Sequence, residues 1–373
     1  MDCKSIDLWS TKVRILPCAQ LKHYPVILSI VIAAVIIVGG LMVRVHNGKN
    51  ASAAASDGST ATTSDTAHSA AAMRTLTIMM GGDVMFDRGI RKLGEASGYD
   101  GLLAPVADLF ARADIATVNL EGPITGNASR TLFNDGSTGR ELTFTFATAT
   151  AAVLARAHVT AVSLANNHTA NFGQPGFEET EQWLDAAGLA HFGDPWNGTS
   201  TEVVFDKNGI KVAFVGYHAF APGLNGIVTD VRRLASEGYF VIVMPHWGDE
   251  YSASSTPLQR GVARDLVDAG AGAIVGSHPH VIEPHEWLQS AAATSTGTLL
   301  RHVPVFYSLG NLLFDQYFSP AVMAGNIVEI DLERTGTTTR LTGAKLYDTS
   351  TASRAGTTVD PVPHFVANEG ESY

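Results

Sequence analysis

The sequence predicts an α/β (α+β) fold, because short β-branched runs alternate with segments of helical period and a tight turn joins two of the runs. Strands are predicted at 75–80, 115–120, 159–164, 203–205, 210–217, 240–244 and 273–275, and helices at 175–187, 230–237 and 257–269. The tight turn is predicted at Asn208 and Gly209, since an Asn-Gly pair supplies the positive φ of a hairpin. This alternation indicates βα units around largely buried sheets.

The composition excludes several classes of function. The chain has 373 residues, of which 45% are hydrophobic, so it is long enough to bury a large core. The net charge is −11 and the basic residues form no dense cluster after the N-terminal segment, which argues against nucleic-acid binding. Cys3 and Cys18 both precede the apolar N-terminal segment. The domain after it therefore has neither cysteine catalysis nor a cysteine zinc site.

An uncharged apolar segment at 25–43 predicts one transmembrane helix, because a helix of this length spans about 28 Å of a hydrocarbon core roughly 30 Å thick. Basic residues are more frequent before this segment than after it, so the positive-inside rule places residues 1–24 in the cytoplasm. The alternative is a cleaved signal peptide with its cleavage site near 51–56, although the apolar run exceeds the usual length. We expect a single-pass cell-membrane protein whose C-terminal domain lies outside the cytoplasm.

The rest of the chain divides by composition. Residues 44–72 are rich in Ala, Ser and Thr and predict a flexible stalk, since they cannot bury enough apolar surface to fold. Residues 73–349 carry the strand and helix patterns and predict the folded domain. The polar segment 350–373 predicts an irregular tail.

Polar side chains that suit metal ions follow five predicted strands, at the end where open α/β sheets bind ligands. In chain order they are Asp83, Asn119, Glu121, Asn166, Asn167, His168, His246, His278 and His280. Oxygen and imidazole ligands together suit zinc, manganese or iron. His278 and His280 give the strongest signal, because a rigid proline between them can direct two imidazoles at two neighbouring ions.

Several of these candidate residues, taken alone, also fit an ordinary structural role. Asp83 fits a helix N-cap, the pair at 166–167 fits an Asx turn, and His168 fits a loop histidine. Asn311 and Asp315 lie on a later turn, where they either border the same site or serve as turn and capping residues.

Other ionisable residues share no common geometry. The histidines assigned to structural roles are His191, His218, His285 and His302, and the acidic residues that either support the site or are solvated loop charges are Asp249, Glu250 and Glu283.

The order of the motifs points to a known family. GGDVMFDR, NLEGPIT, SLANNHTANFG, MPHWGDEY, GSHPHV and YSLGNLLFD follow one another between residues 76 and 347. In this order they resemble the bacterial capsule-synthesis CapA family, whose PGA_cap domain is associated with poly-γ-glutamate and is similar to calcineurin-like metallophosphatases. The resemblance implies a layered sandwich of two central β-sheets flanked by helices, here preceded by one transmembrane helix.

The resemblance also assigns roles to individual residues. Asp83, Glu121, Asn167, His246, His278 and His280 are implied as ligands of two divalent metal ions, with Glu121 between the ions and His168 as the catalytic residue. Independently of the resemblance, Asn119, Asn166 and Asn311 are candidate substrate contacts at the rim. Three positions depart from the pattern of the relatives. Glu121 stands where the second motif usually has the Asp that bridges both metals. Met85 stands where the first motif usually has a histidine, and Asn171 stands where many relatives carry Asp.

The expected function is that of a metal-dependent hydrolase, similar to a phosphoesterase, in the synthesis of capsule or poly-γ-glutamate. Two ions would activate a shared water and polarise the group under attack. The alternative is a non-catalytic metal-binding component that assembles or exports an anionic polymer, and a third possibility is an inert scaffold outside the cytoplasm. The expected partners are the cell membrane, the anionic capsule polymer and membrane synthesis proteins, with no nucleic acid.

Overall fold

Strands and helices alternate along the part of the chain that the structure describes. The computed structural model describes residues 73–131, 142–198, 202–294 and 297–366. The strands are β1 (Arg74–Val84), β2 (Ile115–Leu120), β3 (Ala161–Ser163), β4 (Ala190–Phe192), β5 (Glu202–Lys207), β6 (Ile210–His218), β7 (Phe240–His246), β8 (Ala273–Val275), β9 (His285–Thr294), β10 (Gly297–Phe306), β11 (Asn311–Leu313), β12 (Ala324–Thr335), β13 (Thr338–Ser350), β14 (Thr358–Val359) and β15 (His364–Phe365). The helices are α1 (Arg88–Ser97), α2 (Asp100–Phe110), α3 (Thr150–Arg156), α4 (Gly173–Ala186), α5 (Leu224–Ser236), α6 (Pro257–Ala269) and α7 (Pro320–Met323).

The strands form two sheets with parallel centres. A nine-stranded sheet has the order β14-β13-β12-β1-β2-β3-β4, with β11 paired to β1 and β15 paired to β13. A six-stranded sheet has the order β5-β6-β7-β8-β10-β9. Neighbours from β1 to β4 are parallel, as are β6, β7, β8 and β10. Because parallel strands end at the same edge, the residues after them are brought together there.

A buried apolar layer lies between the two sheets. Ile78 of β1 and Val328 of β12 pack in one cluster with Phe214 of β6 and Ile242 of β7. The rings of Phe192, at the end of β4, and Phe214 are 5.5 Å apart. The sheets are therefore stacked face to face through the side chains of one face of each.

Helices cover the outer face of each sheet. Side chains of α1 to α4 pack with residues of β1, β2 and β3 in a second cluster. Side chains of α5 and α6 pack with β6, β7 and β8 in a third. The layers therefore run helix, sheet, sheet, helix, and the prediction of two central sheets flanked by helices is confirmed.

Several predicted elements agree closely with the structure. The strands at 115–120 and 273–275 and the helix at 257–269 have the predicted bounds. The hairpin between β5 and β6 turns at Asn208 and Gly209, whose φ angles are 55° and 70°. The helix predicted at 230–237 is longer and begins at Leu224.

The C-terminal segment differs from the prediction. Residues 350–373 were expected to be irregular, but β14 and β15 both pair antiparallel with β13. Val366 is buried between the sheets, which gives this segment an apolar anchor. A two-residue strand has too few residues to show the alternation by which strands are predicted.

The N-terminal predictions concern residues outside the described ranges. These are the cytoplasmic segment 1–24, the transmembrane helix 25–43 and the stalk 44–72. Among the helices of the described ranges, none has the length and apolar character needed to cross a membrane.

Replacing Phe214 by Ala tests the stacking of the sheets. Phe214 is fully buried, so the substitution removes a ring between the sheets and should lower the free energy of unfolding by about 3–5 kcal/mol. Urea denaturation followed by fluorescence measures the change. Phe365 of β15, which is 75% exposed, provides the matched control, and Phe365→Ala should cost far less. Equal losses in the two variants would contradict this packing.

Candidate metal centre

The ends of five strands bring the predicted ligands into one cluster. Asp83 is the second-last residue of β1, Glu121 directly follows β2, and His246 ends β7. All three are buried, with at most 1% of their surface exposed. Asn119 of β2 lies opposite Asp83 in the parallel register of β1 and β2. His246 forms an isolated parallel bridge with Ser277, just after β8. The two sheets therefore contribute to the same site.

One group of possible metal donors contains Glu121, His246 and His278, whose donor atoms lie within 4.8 Å of one another. The His246 Nε2 atom is 3.1 Å from Nδ1 of His278 and 3.9 Å from Oε1 of Glu121. Oδ1 of Asn167 is 2.9 Å from the same Nε2 atom. The amide oxygen of Asn167, predicted as a metal ligand, therefore lies beside two imidazoles and a carboxylate.

A second group contains Asp83, Glu121 and His280, also within 4.8 Å of one another. Oδ2 of Asp83 is 3.4 Å from Nδ1 of His280, and Oε1 of Glu121 is 3.6 Å from Nε2 of His280. Glu121 is therefore the residue common to both candidate groups.

Glu121 is buried with no hydrogen bond to its carboxylate and with only partial compensation from His280. Both of its carboxylate oxygens lack a hydrogen-bond partner among the described residues, and its side chain has no exposed surface. Burial raises the pKa of Glu121 well above its usual value, while His280 counteracts part of this shift. Burying an unpaired carboxylate costs several kcal/mol unless a cation offsets it. A divalent ion satisfies both oxygens, so the donor set fits the metal that the sequence implies.

Asn311 fixes the orientation of His280. The amide nitrogen of Asn311 donates to the backbone oxygens of His280 and Val322, at 3.3 and 2.9 Å, so its Oδ1 is the atom that faces Nδ1 of His280 at 3.0 Å. Nδ1 must therefore carry a proton, and Nε2, which faces Glu121, is the nitrogen that would bind a metal ion once its own proton is lost. Burial lowers the pKa of His280, but Glu121 and Asp83 outweigh it and raise the pKa to about 9.

His246 and His278 are held close together inside the protein. The Nδ1 atom of His246 is 3.2 Å from the amide nitrogen of Asn119 and 3.0 Å from the hydroxyl of Ser277. Burial, followed by the proximity of His278, lowers the pKa of His246 well below its usual value. Burial and the proximity of His280 lower the pKa of His278 to about 4. Both imidazoles are therefore neutral at pH 7, the form that binds metal.

His168 lies beside the two groups, oriented by Asn171. Asn171 Oδ1 accepts a hydrogen bond from the backbone N–H of Phe144 at 2.7 Å and lies 3.1 Å from Nδ1 of His168. This oxygen can only accept, so Nδ1 of His168 carries the proton and Nε2 is free. Nε2 is 4.0 Å from Oε1 of Glu121. Burial lowers the pKa of His168 to about 4.

The loop after β8 adopts an unfavourable backbone at both histidines. His278 has a φ of 100° and His280 a φ of 57°. Residues other than glycine rarely adopt positive φ, and such strain concentrates at functional sites. The backbone N–H of His278 donates to Oδ2 of Asp83 at 3.1 Å, which ties the strained loop to β1.

The three asparagines expected as substrate contacts are buried in the structure. Asn119 donates to Oδ1 of Asp83 at 2.8 Å, and Asn166 donates to Oδ1 of Asn119 at 3.1 Å. Asn119, Asn166 and Asn311 have at most 1% of their surface exposed. Asn119 and Asn311 contact candidate ligands and Asn166 contacts Asn119, so these buried residues support the ligands instead of lining an open rim.

Other residues that the sequence singled out lie elsewhere. Asp315 pairs with Arg88 and accepts from the backbone N–H of Gly89. Met85, in place of the usual histidine, is buried, and its sulfur accepts from the backbone N–H of Asp87. His191 is close to Asp185 and Glu181 at the surface.

The sequence reasoning missed the contributions of Ser277 and Asn171 to the site. Ser277 precedes His278, and its hydroxyl contacts Nδ1 of His246. Asn171 appeared only as a departure from the relatives, although it orients His168. The sequence offered only their positions: Ser277 lies in the GSHPHV motif and Asn171 in the SLANNHTANFG motif.

Glu283 is a buried carboxyl group near the centre that belongs to neither donor group. Its Oε2 atom accepts from the Gln259 side chain at 2.7 Å, and its Oε1 atom has no hydrogen-bond partner among the described residues. Burial raises the pKa of Glu283 to about 7, with a smaller contribution from Asp249. Its burial rules out the interpretation of Glu283 as a solvated loop charge.

Comparisons with known proteins show which family the chain resembles. A model of the family described as "Bacterial capsule synthesis protein PGA_cap" matches residues 77–316. The "PGA biosynthesis protein CapA" of Bacillus subtilis (strain 168) is 29% identical over 277 residues, which cover 69% of this chain and 67% of that protein. The "Capsule biosynthesis protein CapA" of Bacillus anthracis is 29% identical over 262 residues, which cover 65% of this chain and 60% of that protein.

Removal of the shared carboxylate tests whether the two groups form two sites. Glu121→Ala removes a donor from both groups, so bound manganese should fall from about two equivalents to near zero. His280→Ala affects only the second group and should remove about one equivalent. Mass spectrometry of the dialysed protein measures both. His191→Ala is the control and should keep the wild-type content, whereas equal losses in the Glu121 and His280 variants would contradict two groups with one shared donor.

The buried carboxyl of Glu283 predicts a pH dependence of stability. Its folded pKa of about 7 exceeds the unfolded value, so the folded state holds the proton and stability falls as the pH rises through 7. Relative to wild type, Glu283→Gln should gain up to about 3 kcal/mol of unfolding free energy between pH 5 and pH 8. Urea titrations in EDTA measure this gain. Glu178→Gln, at an exposed residue, is the control, and a parallel pH profile for wild type and Glu283→Gln would refute the shift.

Proposed function

Because the chain belongs to the bacterial capsule synthesis PGA_cap family, we propose that its domain is a metal-dependent hydrolase that acts in the synthesis of a capsule polymer such as poly-γ-glutamate. The curated relatives named above are described as biosynthesis proteins for PGA and for capsule. The matched region covers 67% of the first relative and 60% of the second. The activity and the substrate of this chain are therefore part of the proposal.

One observation carries the proposal, namely the buried Glu121 that belongs to two donor groups while its own oxygens lack partners. Asp83 and His280 would hold one divalent ion with Glu121, and Asn167, His246 and His278 would hold the other. Two bound ions supply Lewis-acid activation of a water and of a phosphoryl or acyl oxygen. A single structural ion would not require a carboxylate common to two groups.

His168 is the proposed catalytic residue. The Nδ1–H group of His168 donates to Oδ1 of Asn171. The unprotonated Nε2 atom is therefore the one that can accept a proton or pass it to a leaving group. The ring of Phe144 packs against the His168 imidazole with 4.3 Å between centroids, which limits its rotation. His168 thus offers one nitrogen in a fixed direction next to Glu121.

The proposed location follows from the N-terminal sequence. The apolar segment at 25–43 would anchor the chain in the cell membrane, with the domain outside the cytoplasm and reaching membrane synthesis proteins across the stalk at 44–72. The acidic charge of the chain would repel an anionic polymer at long range, so contact would depend on the bound cations.

The second candidate is a metal-binding component of polymer assembly or export without turnover. Met85 favours it, because this buried residue replaces an imidazole that metallophosphatase relatives have in the first motif. This candidate and the hydrolase both require bound metal. Turnover separates them.

The test is hydrolysis of bis(4-nitrophenyl) phosphate by the protein with and without added manganese. We expect metal-dependent release of nitrophenol, no release by the His246→Ala/His278→Ala double variant, and a fall in kcat of about 10²–10⁴ for His168→Ala with its metal content retained. His191→Ala is the matched control. Full metal content without turnover in the wild-type protein would contradict the hydrolase and favour the assembly role, and normal metal content in the double variant would contradict the site itself.

A further inference from the structure

Exposed aromatic rings flank the two histidines that lie on either side of Pro279. Phe220, on the loop after β6, has its ring centroid 4.6 Å from that of His278. Tyr251, on the loop after β7, stacks on His280 with 6.0 Å between centroids and 29° between planes. The two imidazoles are themselves 6.1 Å apart. An aromatic ring therefore lies at each end of the histidine pair.

A third ring extends the surface on the side of His280. Phe318 packs edge-on against Tyr251 with 5.1 Å between centroids. Phe220, Tyr251 and Phe318 are 55%, 42% and 62% exposed. Single exposed apolar residues are common, but a group of them around buried polar residues marks a binding surface. We call Phe220, Tyr251 and Phe318 the aromatic rim.

Tyr251 is held in place against a backbone preference. Its φ is 65°, which a bulky residue rarely adopts. Its backbone N–H donates to the oxygen of Pro279 at 2.8 Å, and its hydroxyl accepts from the Gln316 side chain at 3.2 Å. Gln316 in turn accepts from Asn311, the residue that orients His280. The exposed ring and the buried imidazole are therefore positioned by one hydrogen-bond chain.

We propose, building on the hydrolase proposed above, that the substrate is a phosphodiester with a ring-bearing group, such as a sugar, on each side of the phosphorus. The phosphoryl group would face the donors around Glu121, while one substituent stacks on Phe220 and the other on Tyr251 and Phe318. In the reaction a water oxygen forms a bond to phosphorus, the P–O bond to one substituent breaks, and the departing alcohol oxygen takes a proton from that water.

Charge also favours a diester. The chain carries a net charge of −11, and repulsion of a substrate grows with the negative charge that the substrate brings. A diester has one negative charge at neutral pH, whereas a monoester approaches two. A monoester also has a substituent on only one side, which would leave half of the aromatic rim without a contact.

The experiment compares two diesters that share a charge and a leaving group. Bis(4-nitrophenyl) phosphate has a ring on each side of phosphorus, whereas methyl 4-nitrophenyl phosphate has a ring on one side only. With the full-length, manganese-loaded protein we expect kcat/KM to be roughly tenfold higher for the two-ring compound. Phe220→Ala or Tyr251→Ala should lower this ratio about three- to tenfold, while Phe220→Trp, which keeps a ring, should preserve it.

Further measurements distinguish failure of the aromatic rim from failure of the proposed hydrolase and from misfolding of a variant. Metal content measured in each variant establishes that the centre is intact, and Phe365→Ala, which removes an exposed ring from β15, should leave the ratio unchanged. Calorimetric binding of both compounds gives the same ratio when turnover is absent. Preferential binding of the two-ring compound without turnover would contradict only the hydrolase. Turnover of both compounds at equal kcat/KM, or a ratio that loss of the rings does not change, would overturn the aromatic rim as a substrate site.

Discussion

The arrangement of the site depends on one buried carboxylate that the protein leaves without a hydrogen bond. Glu121 is fixed directly after β2, its backbone N–H donates to the oxygen of Val84, and no described side chain satisfies its oxygens. The surrounding polar groups are paired instead with one another, as when Asn119 donates to Asp83. Such a buried carboxylate persists only where the stability of the rest of the fold offsets its free-energy cost or where a cation compensates its charge. The neighbouring imidazoles then act as donors around that cation.

The two sheets have to be stacked for this carboxylate to acquire its neighbours. Asp83 and Glu121 come from the nine-stranded sheet, and His246 and His278 come from the six-stranded one. The Asn119 amide nitrogen contacts both Asp83 and His246, so it links the donors of the two sheets directly. Neither sheet alone holds a complete donor group. Packing in the apolar layer between the sheets, for example at Phe214, therefore bears on the geometry of the centre as well as on stability.

The sequence predicts the centre of the fold and the donors well, and the reason is physical. Buried parallel strands produce continuous apolar runs, and their ends carry polar residues that have no role in a core, so β2, β8 and the donors after them could be located. The roles of Asn311 and Asn171 could not, because they depend on which histidine nitrogen faces each amide, and Asn311 also lies 31 residues from its partner His280. The pairing of β15 with β13 could not be predicted either, because a strand of two residues is defined by its partner and not by its own sequence pattern.

The two donor groups differ in chemistry. The group of Asn167, His246 and His278 with Glu121 offers two imidazoles, whereas Asp83 and Glu121 share a single imidazole from His280. The second group is therefore richer in oxygen, and oxygen donors favour harder ions such as manganese over zinc. The two positions are therefore expected to differ in affinity and in preferred ion, with the nitrogen-rich group the tighter site for zinc.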